Sequence, residues 1–323
     1  MDQRWCGHGE FLARTVFDNG GVTRPVPFDS AALRPRLPSP LEEVTDERFT
    51  RHGVRLLLKR DDLIHPELIG NKWRKLVPNL EAAAGRPVVT FGGAYSNHLR
   101  ATAAAGRLLG LPTIGVVRGD ELADRPLNPS LTRCAADGMR LRFVDRATYR
   151  RKTDPGTLAV VLRDADAEDA YVVPEGGSNA AAVRGCRPRR GTARPRRRRG
   201  PRLRHRRHPR GLAAGLGPGR RALGIPVLRG GFLGDGIRAL QTEAFGGPVG
   251  DWQLDERFHF GGYARTTPAL EEFARDFEGR HGLPVERLYV AKSLYALVAL
   301  AEEGAFPHGT RLAAVVTGAP FTP

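Results

Sequence analysis

The sequence predicts an α/β fold in two domains, with parallel-rich sheets flanked by helices. Three observations lead there. Short β-branched apolar runs alternate with stretches that repeat Ala and Leu at helical spacing, the pattern of βαβ units. Two of these runs are followed by paired glycines, which punctuate a strand-to-helix turn. The chain's 323 residues are also more than one compact core ordinarily holds.

The elements follow in order. Residues 54–58 read as a short apolar strand. Residues 88–91 read as another, broken by Gly92 and Gly93. Residues 96–109 are predicted as a helix, with Gly110 placed to cap its end. Residues 113–117 and 141–144 are strands, separated by a helix over 131–137 that Gly138 closes. Residues 171–173 form a strand stopped by Pro174 and the Gly176-Gly177 pair. Residues 268–277 and 292–303 read as helices, and no internal repeat is present. In such sheets ligands bind beyond the carboxyl ends of the strands. Free N–H groups and the dipole of the following helix favour an anion there. Gly92-Gly93-Ala94-Tyr95-Ser96-Asn97 and Glu175-Gly176-Gly177-Ser178-Asn179 both occupy such ends. Taken singly, each is also a common tight turn.

Composition narrows the class. Hydrophobic residues make up 41%, enough for an ordinary globular core. No window approaches the ~18 apolar residues of a membrane span. Residues 1–17 lack the apolar stretch of a signal peptide. Cys6, Cys134 and Cys186 lie too far apart for a disulfide framework or a metal-ligand spacing. A reduced, cytoplasmic protein without a metal or membrane partner is expected. The net charge of +16 would ordinarily suggest nucleic acid. The excess is local, however: residues 187–210 hold 13 arginines and no acidic residue, and elsewhere 38 Lys and Arg face 35 Asp and Glu. Nucleic acid is therefore not the expected partner, and the basic segment needs its own explanation.

Three segments in series carry a resemblance. They are Lys59-Arg60-Asp61-Asp62-Leu63 with Gly70-Asn71-Lys72-Trp73-Arg74-Lys75-Leu76, then Gly92-Gly93-Ala94-Tyr95-Ser96-Asn97-His98-Leu99-Arg100-Ala101-Thr102, then Val173-Pro174-Glu175-Gly176-Gly177-Ser178-Asn179. In this order they resemble the D-cysteine desulfhydrase / 1-aminocyclopropane-1-carboxylate (ACC) deaminase family. His259-Phe260-Gly261-Gly262-Tyr263-Ala264-Arg265 and Tyr289-Val290-Ala291-Lys292 are similar to its later motifs. The resemblance runs over about residues 38–318.

The resemblance implies the tryptophan-synthase-β-like fold, fold type II, with pyridoxal 5'-phosphate (PLP) in a cleft between two α/β domains. It implies a larger cofactor domain from residues 1–74 plus 179–323 and a smaller one from 75–178. Lys72 is then the Schiff-base lysine. That chemistry needs an amine whose pKa desolvation can lower. Asn71, Asn97, Thr317 and Gly318 fall among the cofactor-binding positions, Asn97 toward the phenolic oxygen. Ser96, Tyr263 and Tyr289 join Lys72 as catalytic candidates facing the substrate. His98 has either a site role or only a capping or packing one. The implied reaction is β-elimination from a small amino acid, D-cysteine above all, giving a 2-oxo acid, ammonia and sulfide. ACC deamination, or another fold-type-II lyase or racemase activity, is the alternative within enzymes. A degenerate non-catalytic paralogue and a basic nucleic-acid-binding protein are the alternatives outside them. A homodimer is expected only by analogy.

Two departures bear on the branch. Position 290 is Val, where the family has Thr, Ser or, in ACC deaminases, Glu. Valine cannot bond a pyridine nitrogen, which leaves that contact to Thr317 or to nothing. His98 also stands where ACC deaminases tend to carry Gln. Both tilt the resemblance toward the desulfhydrase side. The end of the chain keeps Thr317-Gly318 of the family's His-Thr-Gly-Gly motif but has Val316 and Ala319 around it.

A Gly/Ser/Thr-rich loop that cradles the cofactor phosphate with backbone N–H groups is expected near residues 202–211. The sequence there is Arg202-Leu203-Arg204-His205-Arg206-Arg207-His208-Pro209-Arg210-Gly211. Suppose each Arg is a CGN codon and the reading frame starts at the second base. Positions 202–209 then become compatible with Gly-Ser-Gly-Thr-Gly-Gly-Thr-Leu. Positions 196–200 become compatible with an apolar strand such as Asp-Val-Val-Val-Val. The expectation is that residues 187–210 are read out of frame between two compensating shifts. The competing reading is a genuine basic arm for nucleic acid.

Overall fold

The computed structural model describes residues 30–187, 203–206, 209–216, 218–231 and 233–318. Most of the basic segment, including positions 196–200, lies outside the described residues.

Along the chain, β1 (Leu41–Val44) and α1 (Glu47–Thr50) precede β2 (Arg55–Arg60). A turn at Asp61–Leu63 leads on to α2 (Asn71–Ala83). Then come β3 (Val88–Gly92), α3 (Asn97–Leu109), β4 (Thr113–Arg118), α4 (Pro129–Ala136) and β5 (Arg140–Val144). Next are α5 (Arg146–Arg150), α6 (Pro155–Asp164), β6 (Tyr171–Val173) and α7 (Ala180–Gly185). The later part contributes β7 (Leu203–Arg206), α8 (Pro209–Gly215), β8 (Arg221–Gly224), α9 (Leu233–Phe245) and β9 (Asp251–Leu254). It closes with α10 (Pro268–His281), α11 (Lys292–Glu302) and β10 (Arg311–Val316).

The strands form two sheets. One is four-stranded, in the order β5-β4-β3-β6, and parallel throughout. The other is six-stranded, in the order β1-β2-β10-β7-β8-β9, and only β1 runs antiparallel to its neighbour. Strands β3 and β4 are buried almost end to end, as expected for parallel strands covered by helices on both faces. Phe49, Leu56, Leu58, Phe277, Leu294 and Leu312 belong to the core on the six-stranded side. Trp73, Leu76, Leu80, Val88 and Ala104 join α2 to α3 and the four-stranded sheet.

Local chemistry sets the boundaries of α3. Ser96 caps its start, its Oγ accepting from the N–H groups of His98 and Leu99 at 3.2 and 3.3 Å. Gly110 ends it in the left-handed region, its N–H donating to the Gly106 carbonyl.

Where the resemblance implies a phosphate loop, near residues 202–211, the described residues hold regular structure: 203–206 are a strand, and a helix begins at Pro209. The reason is pairing: β7 fills the gap between β10 and β8 and bonds to both, with Arg206 in register with Ala314 and Leu223. Its sequence, Leu-Arg-His-Arg, suits the place poorly. A strand between parallel neighbours in a helix-covered sheet is ordinarily apolar. Its neighbours conform: β10 is buried from Leu312 on and β8 from Ala222 on.

Candidate functional site

Lys72 sits on the second residue of α2, and an ion pair fixes that helix start. Asp61, at the end of β2, accepts from Arg74 Nε at 2.7 Å and from Nη2 at 2.8 Å. Such a bidentate fork is the strong geometry for Arg and carboxylate. Ser39 Oγ donates to the same carboxylate at 2.6 Å. Arg60 and Asp62 form a second pair at 2.8 Å. The Lys-Arg-Asp-Asp segment therefore works as a bracket that anchors the helix carrying Lys72. Lys59 Nζ donates to the Ser39 carbonyl. Burial lowers the Lys59 pKa, with the nearby Asp61 charge opposing.

Four segments meet at this helix start. Gly70, at φ +60°, lies against the backbone after β10, and a Cβ built on it would come within 2.2 Å of the Thr317 carbonyl oxygen. Gly318 packs in turn against Ile69. From the four-stranded sheet, the start of α3 brings His98, and the turn after β6 brings Gly176 and Gly177. Gly177, at φ +64°, faces His98 Cε1 and Lys75 Cβ. Lys75 Nζ donates to the Gly176 carbonyl at 2.7 Å.

His98 lies at the meeting point with 1% of its surface exposed. Among the described residues neither ring nitrogen has a hydrogen-bond partner. Burial, followed by the charges of Lys72 and Lys75, pushes its pKa well below the ordinary histidine value. The imidazole is favoured in its neutral form, its ring lying against Gly177. Unpartnered buried polar atoms are costly in a folded protein.

The remaining candidates are placed as follows. Ser96 serves as the α3 cap. Asn97 is exposed on the first residue of α3, its Oδ1 accepting from Arg100. Asn71 opens α2 beside Lys72. Tyr263 and Tyr289 face each other with ring centroids 6.2 Å apart, and Tyr263 is 54% exposed. They are not core aromatics. Val290 is buried in the same apolar cluster as Leu312, Ala314 and Val316, so it is a core residue. Asn179, in the third motif, caps α7 through Ala182 N–H and donates to Asn79. The sequence reading did not single out Asp61 with Arg74, although their spacing on the two sides of the Gly-Asn-Lys turn is visible in it.

The segments that carry Lys72, His98, Gly177 and Thr317 are thus brought together. Arg206 pairs with Ala314, three residues before Thr317, so β7 ends beside the strand that leads to Thr317–Gly318. In a parallel sheet this is where a phosphate cradle belongs. Arg207-His208-Pro209 supplies no glycine to turn the backbone, and proline has no N–H to give. The sequence there does not supply the glycine-rich backbone cradle that the resemblance implies.

Gly70→Ala tests the close approach at Thr317. The variant is expected to lose about 1–3 kcal/mol in urea unfolding, from strain at positive φ plus the carbonyl clash. Gly110→Ala, at φ +65° with open space around it, isolates the backbone part. Equal losses in the two variants would mean that α2 does not press on Thr317.

No family model matches the chain. A Thermotoga maritima protein assigned as an ACC deaminase is 35% identical over 138 residues, 42% of this chain and 43% of the relative. The mitochondrial bifunctional D-cysteine desulfhydrase/ACC deaminase of Arabidopsis thaliana is 31% identical over 171 residues, 50% of this chain and 42% of the relative. The aligned stretches thus span less than half the length of these curated relatives. Among solved structures, an ACC deaminase homologue superposes with a TM-score of 0.70 at 26% identity, covering 89% of this chain and 93% of that one. O-ureido-L-serine synthase shares the fold at a TM-score of 0.61 and 14% identity, covering 91% and 92%. In its motifs and in the aligned stretches the chain is similar to proteins named as ACC deaminase and D-cysteine desulfhydrase, and it shares their two-sheet fold, fold type II.

Proposed function

We propose that the chain derives from a PLP-dependent deaminase and lyase of small amino acids, with Lys72 as the Schiff-base residue and D-cysteine β-elimination as the reaction. The convergence of Lys72, neutral His98, the Gly176–Gly177 turn and Thr317–Gly318 carries this reading. Ser96, Tyr263 and Tyr289 are the proposed substrate-side residues. Asn71, Asn97, Thr317 and Gly318 are the proposed cofactor contacts. Burial of Val290 in the apolar core favours the desulfhydrase over the ACC deaminase branch, because no polar group stands there.

The glycine-rich phosphate cradle is missing from the sequence, so no reaction step is assigned to the polypeptide as written. The proposal includes the reason: residues 187–210 are an out-of-frame reading of the missing strand and cradle. The polar sequence of β7, in a position that calls for apolar residues, supports it. In the restored frame the apolar strand would come from positions 196–200, and the cradle would follow it. The test is sulfide release by the full chain in its restored frame. D-cysteine is expected to yield sulfide, and L-cysteine to yield little. Sulfide from neither amino acid, with PLP bound, would remove the desulfhydrase reading.

A further inference from the structure

We infer that Lys292 is a positioning residue, whose buried ammonium clamps the loop bearing Tyr263 and holds it beside Tyr289. This deepens the proposed function and rests on it for the substrate side.

Lys292 is the first residue of α11 and is fully buried. Its Nζ donates to two carbonyls of one loop, His259 and Gly262, each at 2.9 Å. The ring of Phe260 lies 6.0 Å from the same ammonium and meets Tyr295 edge-on at 5.0 Å. The loop needs such anchoring. Phe260 at φ +52° and Ala264 at φ +57° hold left-handed conformations that side chains disfavour, and Gly261 and Gly262 lie between them. Strained backbone of this kind persists only where its surroundings over-determine it. The loop's own hydrogen bonds are few: Gly262 N–H to the His259 carbonyl at 3.1 Å, Arg265 N–H to the Gly262 carbonyl at 3.4 Å, and Gly261 N–H to His259 Nδ1 at 2.9 Å.

Lys292 also follows directly on the single π turn Arg287–Ala291, which carries Tyr289. Glu286 caps that turn, its carboxylate accepting from the N–H groups of Leu288, Tyr289 and Val290. One side chain thus ties the Tyr289 turn to the Tyr263 loop. Burial lowers the Lys292 pKa, with the Glu286 charge opposing. An apolar side chain would avoid that cost, and the two carbonyls are what the ammonium gains there.

The test is Lys292→Met in the full chain, which keeps much of the volume and removes the donors. Hydrogen exchange at the Gly262 and Arg265 amides is expected to rise about tenfold or more, while β2 and β10 keep their protection. No rise at the loop, or an equal rise in the two strands, would overturn the clamp. If Lys292→Met does not fold, Lys292→Gln, which retains an N–H donor, is read on the same amides. The second readout is kinetic, on the full chain in its restored frame. The KM for D-cysteine is expected to rise about fivefold or more with kcat within about twofold. An unchanged KM would overturn the positioning role. A parent inactive on every amino acid would overturn the proposed function instead, and the exchange result would still decide the clamp.

Discussion

Lys72→Ala, made in the full chain with its reading frame restored, is expected to abolish the visible absorption band that PLP gives on binding to lysine. Sulfide release should fall by about 10⁴-fold, the scale of losing a covalent or general-base group that works as part of a unit. Lys72→Arg should lose the band as well, because a guanidinium stays protonated and does not form the imine. Neither variant should unfold. The Asp61–Arg74 fork that anchors α2 stands apart from the Lys72 side chain, and Lys72 is only half-buried. A surviving band would mean that another amine carries the cofactor. Lys75 is then the first candidate, although its Nζ is already bonded to the Gly176 carbonyl.

Restoring the frame over codons 186–211 is expected to raise PLP affinity by about a thousandfold. Hydrogen bonds to charged groups contribute about 1.5–3 kcal/mol each, so a cradle of about three N–H groups corresponds to roughly that ratio in Kd. The chain as written should show little or no band even with excess PLP. Resequencing the gene is the direct check: an unbroken frame with intact arginine codons would end the proposal. Equal PLP affinity in the two forms would end it too. If the arginines are genuine, polyanion binding that depends on residues 187–210 and survives moderate salt would identify a basic arm instead.

Much of the four-stranded sheet was legible in the sequence. The strand predicted at 171–173 is β6, and the helix predicted at 96–109 became α3 with Ser96 and Gly110 as its caps. These elements carry their own start and stop signals, so no distant contact was needed to read them. Strands β7, β8 and β9 were not read from the pattern. Each is four residues long, and β9 alternates exposed and half-buried positions, so only pairing makes them strands. The helix α2 was not predicted either. It opens on Gly70, a residue with no side chain to cap it, and contains Pro78.

The same division runs through the site. The order of motifs, the choice of Lys72, the departure at Val290 and the misfit of the arginine segment were all present in the linear chain, because residue type and spacing carry them. Tertiary structure alone decided that Asp61 holds Arg74, that Gly70 meets Thr317, and that His98 is buried within reach of the charges of Lys72 and Lys75. It also decided that Val290 is core and that Tyr263 and Tyr289 form a pair. These contacts join segments far apart in sequence. Desolvation and close approach depend on what packs alongside a residue, and a sequence window does not contain its neighbours in space.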